Sequence, residues 1–374
     1  MTSDKNIIVG AGFSGATIAN LIATKLNEQV IVIDKKGHIA GNCFDYFDEN
    51  GICIHKYGSH IFHTNSEKVW NYVNQFTHFN QYEHKVLANI DGKEVNIPFN
   101  FNTLYDVFPE NFAKKLEQKL LNFFQINTKV PILEFKRQAD EDLKFLAEYI
   151  YEKVFLHYTT KQWGVSPDQI NEAVTARVPV YIGKDNRYFQ DKYQGIPING
   201  YTDIVEKMLN HSNIEVKLDT EFDINNAQAK RIFYTGSIDE LFNYKYGILP
   251  YRSVYFETEL LAQEFYQQNA VINYPSANFK FTRIHEYKYY LNNKSEKTFV
   301  AKEFSEAFEL GKNERYYPIN KEENLTLYEK YIEEAKKIPN LYLLGRLGDY
   351  KYYDMDKAIL RAIELFEELA KWYL

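Results

Sequence analysis

Cysteine is scarce in this chain: Cys43 and Cys53 are the only two among 374 residues. Two cysteines cannot build a disulfide framework, and their spacing matches no common zinc motif. The expected setting is a reducing, cytoplasmic one with no resident metal. Long apolar runs are lacking as well. No stretch approaches the ~20 consecutive apolar residues of a membrane-spanning helix, so membrane insertion is not expected. Met1-Thr2-Ser3-Asp4-Lys5 leads straight into an apolar strand and shows no signal-peptide organisation. Excess positive charge is also missing. With 44 basic and 51 acidic residues the net charge is -7, which argues against a nucleic-acid partner. An anionic ligand must then be met by a few placed arginines and not by a global field. No internal repeat and no Pro/Gly-rich linker divides the chain, so its domains are expected to interleave. Protein-borne catalytic signatures are absent too: there is no Ser/His/Asp order, no nucleophile elbow and no paired-carboxylate motif. Any chemistry would therefore come from a cofactor.

What is present begins at the N-terminus. Asn6-Ile7-Ile8-Val9 fits a buried parallel strand. Gly10-x-Gly12-x-x-Gly15 follows at once, then a run of good helix formers from Ala16 to Leu26. Gln29 to Ile33 reads as the second strand, ended by Asp34. The first glycine permits the tight turn, the second lets a pyrophosphate reach the backbone, and the third lets helix and strand pack closely. Asp34 lies 19 residues after Gly15, where an acid accepts hydrogen bonds from ribose hydroxyls. The small-residue pair Ala40-Gly41 after Lys36, and Gly345-Arg346 after the late strand Leu341 to Leu344, favour FAD over NAD. Lys35, beside Asp34, joins Gly10, Gly12 and Gly15 as a candidate cofactor-binding residue.

Further motifs leave alternatives open. His55, His60 and His63 fall within nine residues; they serve a ligand or simply satisfy a loop, and the spacing is poor for a metal. Trp163 either stacks on a base or sugar or packs in a core. Arg177 and Arg283 sit in strand-like runs, where they form a diphosphate clamp or ordinary ion pairs. Aromatic residues reach 16%, with 31 Tyr and 27 Phe, a surplus that suits flavin, base and sugar contacts as well as packing.

Together VGAGFSG, GHIAGN, HKYGSHIFHTN, TKQWG, ARVPV, YQGIPINGYT, YRS, TRI, YYPIN and GRLGDYKYYDM closely resemble the bacterial UDP-galactopyranose mutases, in the same order over residues 9 to 355. The resemblance implies interconversion of UDP-galactopyranose and UDP-galactofuranose. It implies reduced FAD, whose N5 attacks the anomeric carbon, with NAD(P)H serving only as reductant. Ser14, Asp34, Asn42, His60, Arg346 and the stretch Tyr352, Tyr353, Asp354, Met355 match FAD-contacting positions. Thr159, Trp163, Tyr188, Asn273, Tyr317 and Tyr352 match substrate contacts, and His63 and His84 are assigned to the sugar side. Arg177 and Arg283 match the two arginines essential in the family; with His60 they are the catalytic candidates. A homodimer is implied by the same resemblance.

The chain departs from the pattern at Lys36 for arginine, Ala40 for glycine and His84 for asparagine. The expected fold is α/β: a Rossmann-type FAD-binding domain (1–78, 196–240 and 340–374) with an inserted helical domain (101–172) and an antiparallel β-sheet domain (79–100, 173–195 and 241–339). A UDP-N-acetylgalactopyranose mutase or bifunctional enzyme is the near alternative; His63, which is arginine in that type, favours plain galactose. An FAD amine oxidase is a remote one.

Overall fold

A computed structural model of the protein describes residues 4–164 and 179–371. Arg177 and the rest of 165–178 lie outside the described residues. The apolar strand Asn6–Val9 becomes the middle of a five-stranded sheet. The order is Ile214–Lys217, Val30–Ile33, Asn6–Val9, Arg231–Tyr234 and Leu341–Leu343, with every neighbour parallel. Inner parallel strands are covered on both faces, which is why Asn6–Val9 and Val30–Ile33 read as apolar runs, whereas the edge strand Ile214–Lys217 is mostly exposed and alternates. Ile8, Val32 and Phe233 are fully buried. From Asn6–Val9 the chain first lays down Val30–Ile33 on one side and later Arg231–Tyr234 on the other. That reversal is the switch point at which doubly wound sheets bind ligands.

The helix Phe13–Leu21 is buried along its whole length. It shares a core with the helices Gly200–Leu209 and Met355–Ala370. The last of these turns Ile359, Ala362, Ile363, Phe366 and Leu369 inward at helical spacing. Each large side chain removed from water in this way contributes roughly 1.5–3 kcal/mol.

A second sheet has seven strands, in the order Tyr317–Pro318, Tyr251–Leu261, Thr298–Ala307, Arg283–Glu286, Val271–Asn273, Val86–Ile90 and Lys93–Ile97. Its pairs are antiparallel except one, Val271–Asn273 beside Val86–Ile90. The expected antiparallel sheet therefore carries one parallel pair. Those two strands are far apart in the chain and joined by a long connection, and parallel neighbours need such a crossover. The helices Phe101–Val107, Glu110–Phe123 and Glu141–Ile150 bury Leu104, Leu116, Leu143 and Ile150 in one core with Val86, Ala88 and Ile97 of this sheet. The Asp140 carboxylate caps the third helix by accepting from the backbone N–H of Asp142 and Leu143.

Two short strands tie the parts together. Val180–Ile182 pairs with Thr128–Val130 inside the helical segment, and Tyr193–Gly195 pairs with Phe62–Thr64. Neither joins the seven-stranded sheet. Among the described residues no helix is long and apolar enough to cross a membrane.

Candidate active site

The glycine turn is sterically committed. Gly10 has φ +106, and a Cβ there would lie 1.9 Å from Thr235 Oγ1; a Cβ on Gly15 would lie 1.9 Å from the Gly10 carbonyl oxygen. After Gly12 the helix Phe13–Leu21 starts with no side-chain cap and no acid in its first turn. Its first N–H groups and positive end are thus left for an anion. Gly12 and Gly41 face each other so closely that a Cβ on Gly41 would come within 3.3 Å of the Gly12 Cα. Ser14 is buried on the same turn and lies against Gly345. The Asp34 carboxylate accepts from the Ala11 N–H at 2.7 Å and the Lys36 N–H at 2.9 Å. A carboxylate has roughly four acceptor positions, so capacity remains for ribose hydroxyls. The uncapped helix end, the glycine backbone and the half-used acid suit a dinucleotide.

The adjacent lysines diverge. Lys35 is exposed and reaches Glu240 at 2.6 Å. Lys36 lies 3.3 Å from Asn42 Oδ1 and 4.3 Å above the Tyr57 ring. Of this pair, Lys36 is the one directed at a residue that lines the main cleft.

That cleft spans about 1730 Å³, open solvent at its mouth included. It gathers His63, His84, Thr159, Trp163, Tyr188, Asn273, Arg283, Tyr317 and Tyr352 from the substrate-side candidates, and His60 from the catalytic and cofactor-side ones. Asn42, Arg346, Asp354 and Met355 join from the cofactor side. Gly10, Gly12, Ser14, Gly15, Asp34 and Lys35 lie outside this lining, and so does Tyr353, whose hydroxyl lies against the Asp349 carboxyl.

One wall is aromatic and cationic. Tyr317 and Tyr352 stack with centroids 5.2 Å apart and planes 7° apart. Trp163 sits 6.1 and 6.5 Å from the two rings, and the Arg346 guanidinium 5.4 and 5.7 Å from them. A flat apolar surface edged by hydroxyls and a cation suits a nucleoside diphosphate.

A second group of lining residues is histidine-rich. His63 Nδ1 is 2.8 Å from Asp191 Oδ2, and its ring stacks on Phe189 at 3.6 Å. Burial, aided by the nearby Arg283 charge, holds His84 down to about 3. Burial and the neighbouring His55 and Arg346 do the same to His60. His60 Nδ1 donates to the Gly58 carbonyl at 2.7 Å, so the neutral ring leaves Nε2 unprotonated.

His60 is braced from beneath. Its backbone N–H donates to His55 Nδ1 at 3.1 Å, and its carbonyl accepts from the Tyr201 hydroxyl at 3.0 Å. Asp45 in turn accepts from the backbone N–H groups of Tyr201 and Thr202 at 2.6 and 2.8 Å. Asp45, Cys53 and His55 are the one group of potential metal donors close together among the described residues. A His55 ring that accepts at Nδ1 carries its proton on Nε2 and has no lone pair there for a metal. The group is a brace.

Arg283 is set by sheet register. It lies opposite Asn273 on one side and opposite Glu303 on the other. Arg283 Nε donates to Glu303 Oε2 at 2.9 Å. Burial alone would raise the Glu303 carboxyl, but the Arg283 charge and the His285 hydrogen bond bring it down to about 2. Asn273 is buried in the cleft wall with no partner for its Oδ1 among the described residues. An orphaned acceptor of this kind suits a ligand hydroxyl.

Sequence reasoning missed the groups that hold these side chains. His285 lies two residues after Arg283 on the same strand face, while Glu303 sits on the neighbouring strand and meets Arg283 only through the inter-strand register. Lys161, inside TKQWG, donates from Nζ to the carbonyls of Tyr274, Ser276, Phe279 and Phe281. Arg252 donates to the carbonyls of Lys161 and Gln162. These two cations fasten the helix that carries Thr159 and Trp163 to the large sheet.

Known proteins resemble the chain over its whole length. A family model described as UDP-galactopyranose mutase matches residues 153–352, and one described as an NAD(P)-binding Rossmann-like domain matches residues 8–76. A dTDP-fucopyranose mutase of Escherichia coli is 37% identical, covering 96% of this chain and 97% of its own. A probable UDP-galactopyranose mutase of Klebsiella pneumoniae is 38% identical, covering 98% and 95%. Among solved structures, a reduced UDP-galactopyranose mutase superposes with a TM-score of 0.71 at 16% identity, covering 100% of this chain and 95% of that one. A putrescine oxidase bound to putrescine superposes at 0.56 and 10% identity, covering 98% and 99%, a likeness of fold alone. The chain is an enzyme of the UDP-galactopyranose mutase family.

Proposed function

We propose that the enzyme interconverts UDP-galactopyranose and UDP-galactofuranose and that its dinucleotide is FAD. The observation that carries this reading is the convergence of Arg283, Arg346, Tyr317, Tyr352 and Trp163 on one cleft, next to a glycine turn suited to a dinucleotide. Gly12, Ser14, Asp34, Asn42 and Arg346 are the residues that would hold the cofactor. Bound and reduced, it supplies a nucleophilic flavin N5 for the anomeric carbon, with NAD(P)H needed only for the reduction.

The chain's own residues bind, orient and screen. Arg283, with Arg177 as its expected partner, meets the charge of the diphosphate, and a planar guanidinium matches that group in two directions. The hydroxyls of Tyr188, Tyr317 and Tyr352 lie on the same cleft and add neutral donors. Trp163 offers its face to the uracil ring. Cleavage of the bond between sugar and diphosphate builds negative charge on the leaving group, so these donors act most strongly as the bond breaks. Contraction of the ring exchanges O5 for O4 as the ring oxygen, which requires a proton to move between them. His60, neutral and bare at Nε2, can accept a hydrogen bond from the hydroxyl that gives up that proton and so orient it.

A second reading concerns the sugar. The relative named dTDP-fucopyranose mutase favours a nucleotide-linked 6-deoxy sugar, and an N-acetylated sugar is the other variant. The diphosphate clamp serves all three; the sugar side, at His63, His84 and Asn273, decides. Arginines in the cleft argue against an amine oxidase, whose substrate is itself a cation. The homodimeric state and cytoplasmic setting belong to the same reading, and sedimentation of the holoenzyme tests the former. Dithionite-reduced enzyme assayed on UDP-galactose, dTDP-fucose and UDP-N-acetylgalactosamine tests the substrate. A higher kcat/KM for either of the latter two overturns the galactose assignment. Oxygen consumption driven by an amine overturns the family chemistry.

A further inference from the structure

A line of buried polar groups runs from beneath the cleft to Arg283. The Tyr290 hydroxyl bonds to Ser59 Oγ. Ser59 Oγ is 2.5 Å from His285 Nδ1, and His285 Nε2 is 3.0 Å from Glu303 Oε2. The same carboxylate oxygen receives Arg283 Nε at 2.9 Å, while Glu303 Oε1 accepts from the Thr282 hydroxyl at 3.3 Å. His285 is fully buried and Glu303 only 2% exposed, so neither can exchange these partners for water.

The polarity of the line follows from chemistry. Glu303 is held ionised, so it only accepts. Nε2 of His285 must then carry the proton. Burial keeps the ring neutral, so Nδ1 accepts from the Ser59 hydroxyl, whose oxygen accepts from Tyr290. Ser59 and His285 each donate once and accept once along the line, and the ionised Glu303 ends it as an acceptor only. Glu303 is thereby fixed on the Nε side of Arg283. Among the described residues no hydrogen bond holds Arg283 Nη1 or Nη2, and Arg283 lines the cleft. On the proposed function, those two nitrogens are left to meet the diphosphate.

We propose that His285 is a positioning residue: through Glu303 it fixes the side from which Arg283 is held, and through Ser59 it couples that arrangement to the segment carrying His60. The proposal rests on reading the substrate as a nucleoside diphosphate sugar. His285 touches no substrate itself. Its effect is confined to ligands that engage Arg283.

Binding of UDP and of uridine to the holoenzyme tests this. Uridine keeps the base and ribose but lacks the diphosphate. In His285→Met the donor to Glu303 is lost, and the Kd for UDP should rise about tenfold while that for uridine stays unchanged. His285→Gln carries an amide N–H that can reach Glu303 and should recover UDP affinity to within about threefold. Should the apolar variant fail to fold, His285→Asn, whose shorter amide serves only the Ser59 side, carries the same prediction as His285→Met. An unchanged UDP Kd in the Met or Asn variant overturns the proposal, as does equal weakening of UDP and uridine. If the unaltered holoenzyme binds neither UDP nor dTDP, the nucleotide reading itself fails, a result distinct from either of these.

Discussion

Lowering the pH from 7 to 5 should cost this protein a large share of its stability, and the structure says by which groups. His55 and His84 are 2% and 5% exposed, and burial holds both rings down to about 3 from an ordinary 6.5. Their folded values lie below the unfolded ones. Above pH 6.5 both states are neutral and the full stability is present. Below 6.5 the unfolded chain takes up protons that the fold refuses, so stability is lost as pH falls. At pH 5 the gap is about 1.5 units, or about 2 kcal/mol per ring and about 4 kcal/mol for the two. Typical domains have about 5–15 kcal/mol in all. His60, partly open to the cleft, adds a smaller amount. Urea denaturation of the holoenzyme at pH 7, 6 and 5, followed by circular dichroism, reads the loss directly. His84→Asn removes one ring and should shrink the drop by about half. A stability that is flat between pH 7 and 5, or a drop unchanged in His84→Asn, would refute the reasoning.

Three further outcomes follow from the same geometry. Arg283→Lys keeps a charge beside Glu303 but loses the planar fork; kcat/KM should fall about 100-fold with the fold intact, and near-normal turnover would remove Arg283 from the clamp. Lys161→Met leaves four carbonyls of the 274–281 loop without their common donor; a loss of about 2 kcal/mol or more in denaturant stability and a raised KM are expected, and neither should appear if the lysine is incidental. Ala40 has φ +68, a conformation that costs a non-glycine residue about 1 kcal/mol, so Ala40→Gly should leave stability unchanged or raise it by up to that amount; a loss above 1 kcal/mol in a melt would show that the buried methyl outweighs the backbone.

The legible parts of this protein are those whose cause is local. Gly10, Gly12, Gly15 and Asp34 can be read in sequence because a tight turn, a close helix and a strand-end acid each demand a residue type at a fixed spacing. The strands at Asn6 and Val30 could be read because inner parallel strands leave unbroken apolar runs, and the half-buried edge strand at Leu341 because it too is an unbroken apolar run. The supporting layer could not be read in the same way. Glu303 meets Arg283 only through the register of two strands with a loop between them, and no local pattern specifies that register. Lys161 looks like a surface lysine on a helix until the 274–281 loop closes over it. Lys35 and Lys36 differ by one position, which on an irregular segment sends one to Glu240 and the other toward Asn42. The segment around Tyr193 reads as part of the large sheet by composition, yet pairs with Phe62–Thr64, because strand partners are chosen by tertiary proximity.

The central claim is that this cleft exchanges the ring form of a galactose held through its diphosphate. Dithionite-reduced holoenzyme incubated with UDP-galactofuranose, with the products resolved by chromatography and proton NMR, tests it most directly. The account predicts conversion to UDP-galactopyranose, no net oxidation of the sugar, and loss of turnover when the flavin is kept oxidised. Unchanged UDP-galactofuranose under reducing conditions would contradict it.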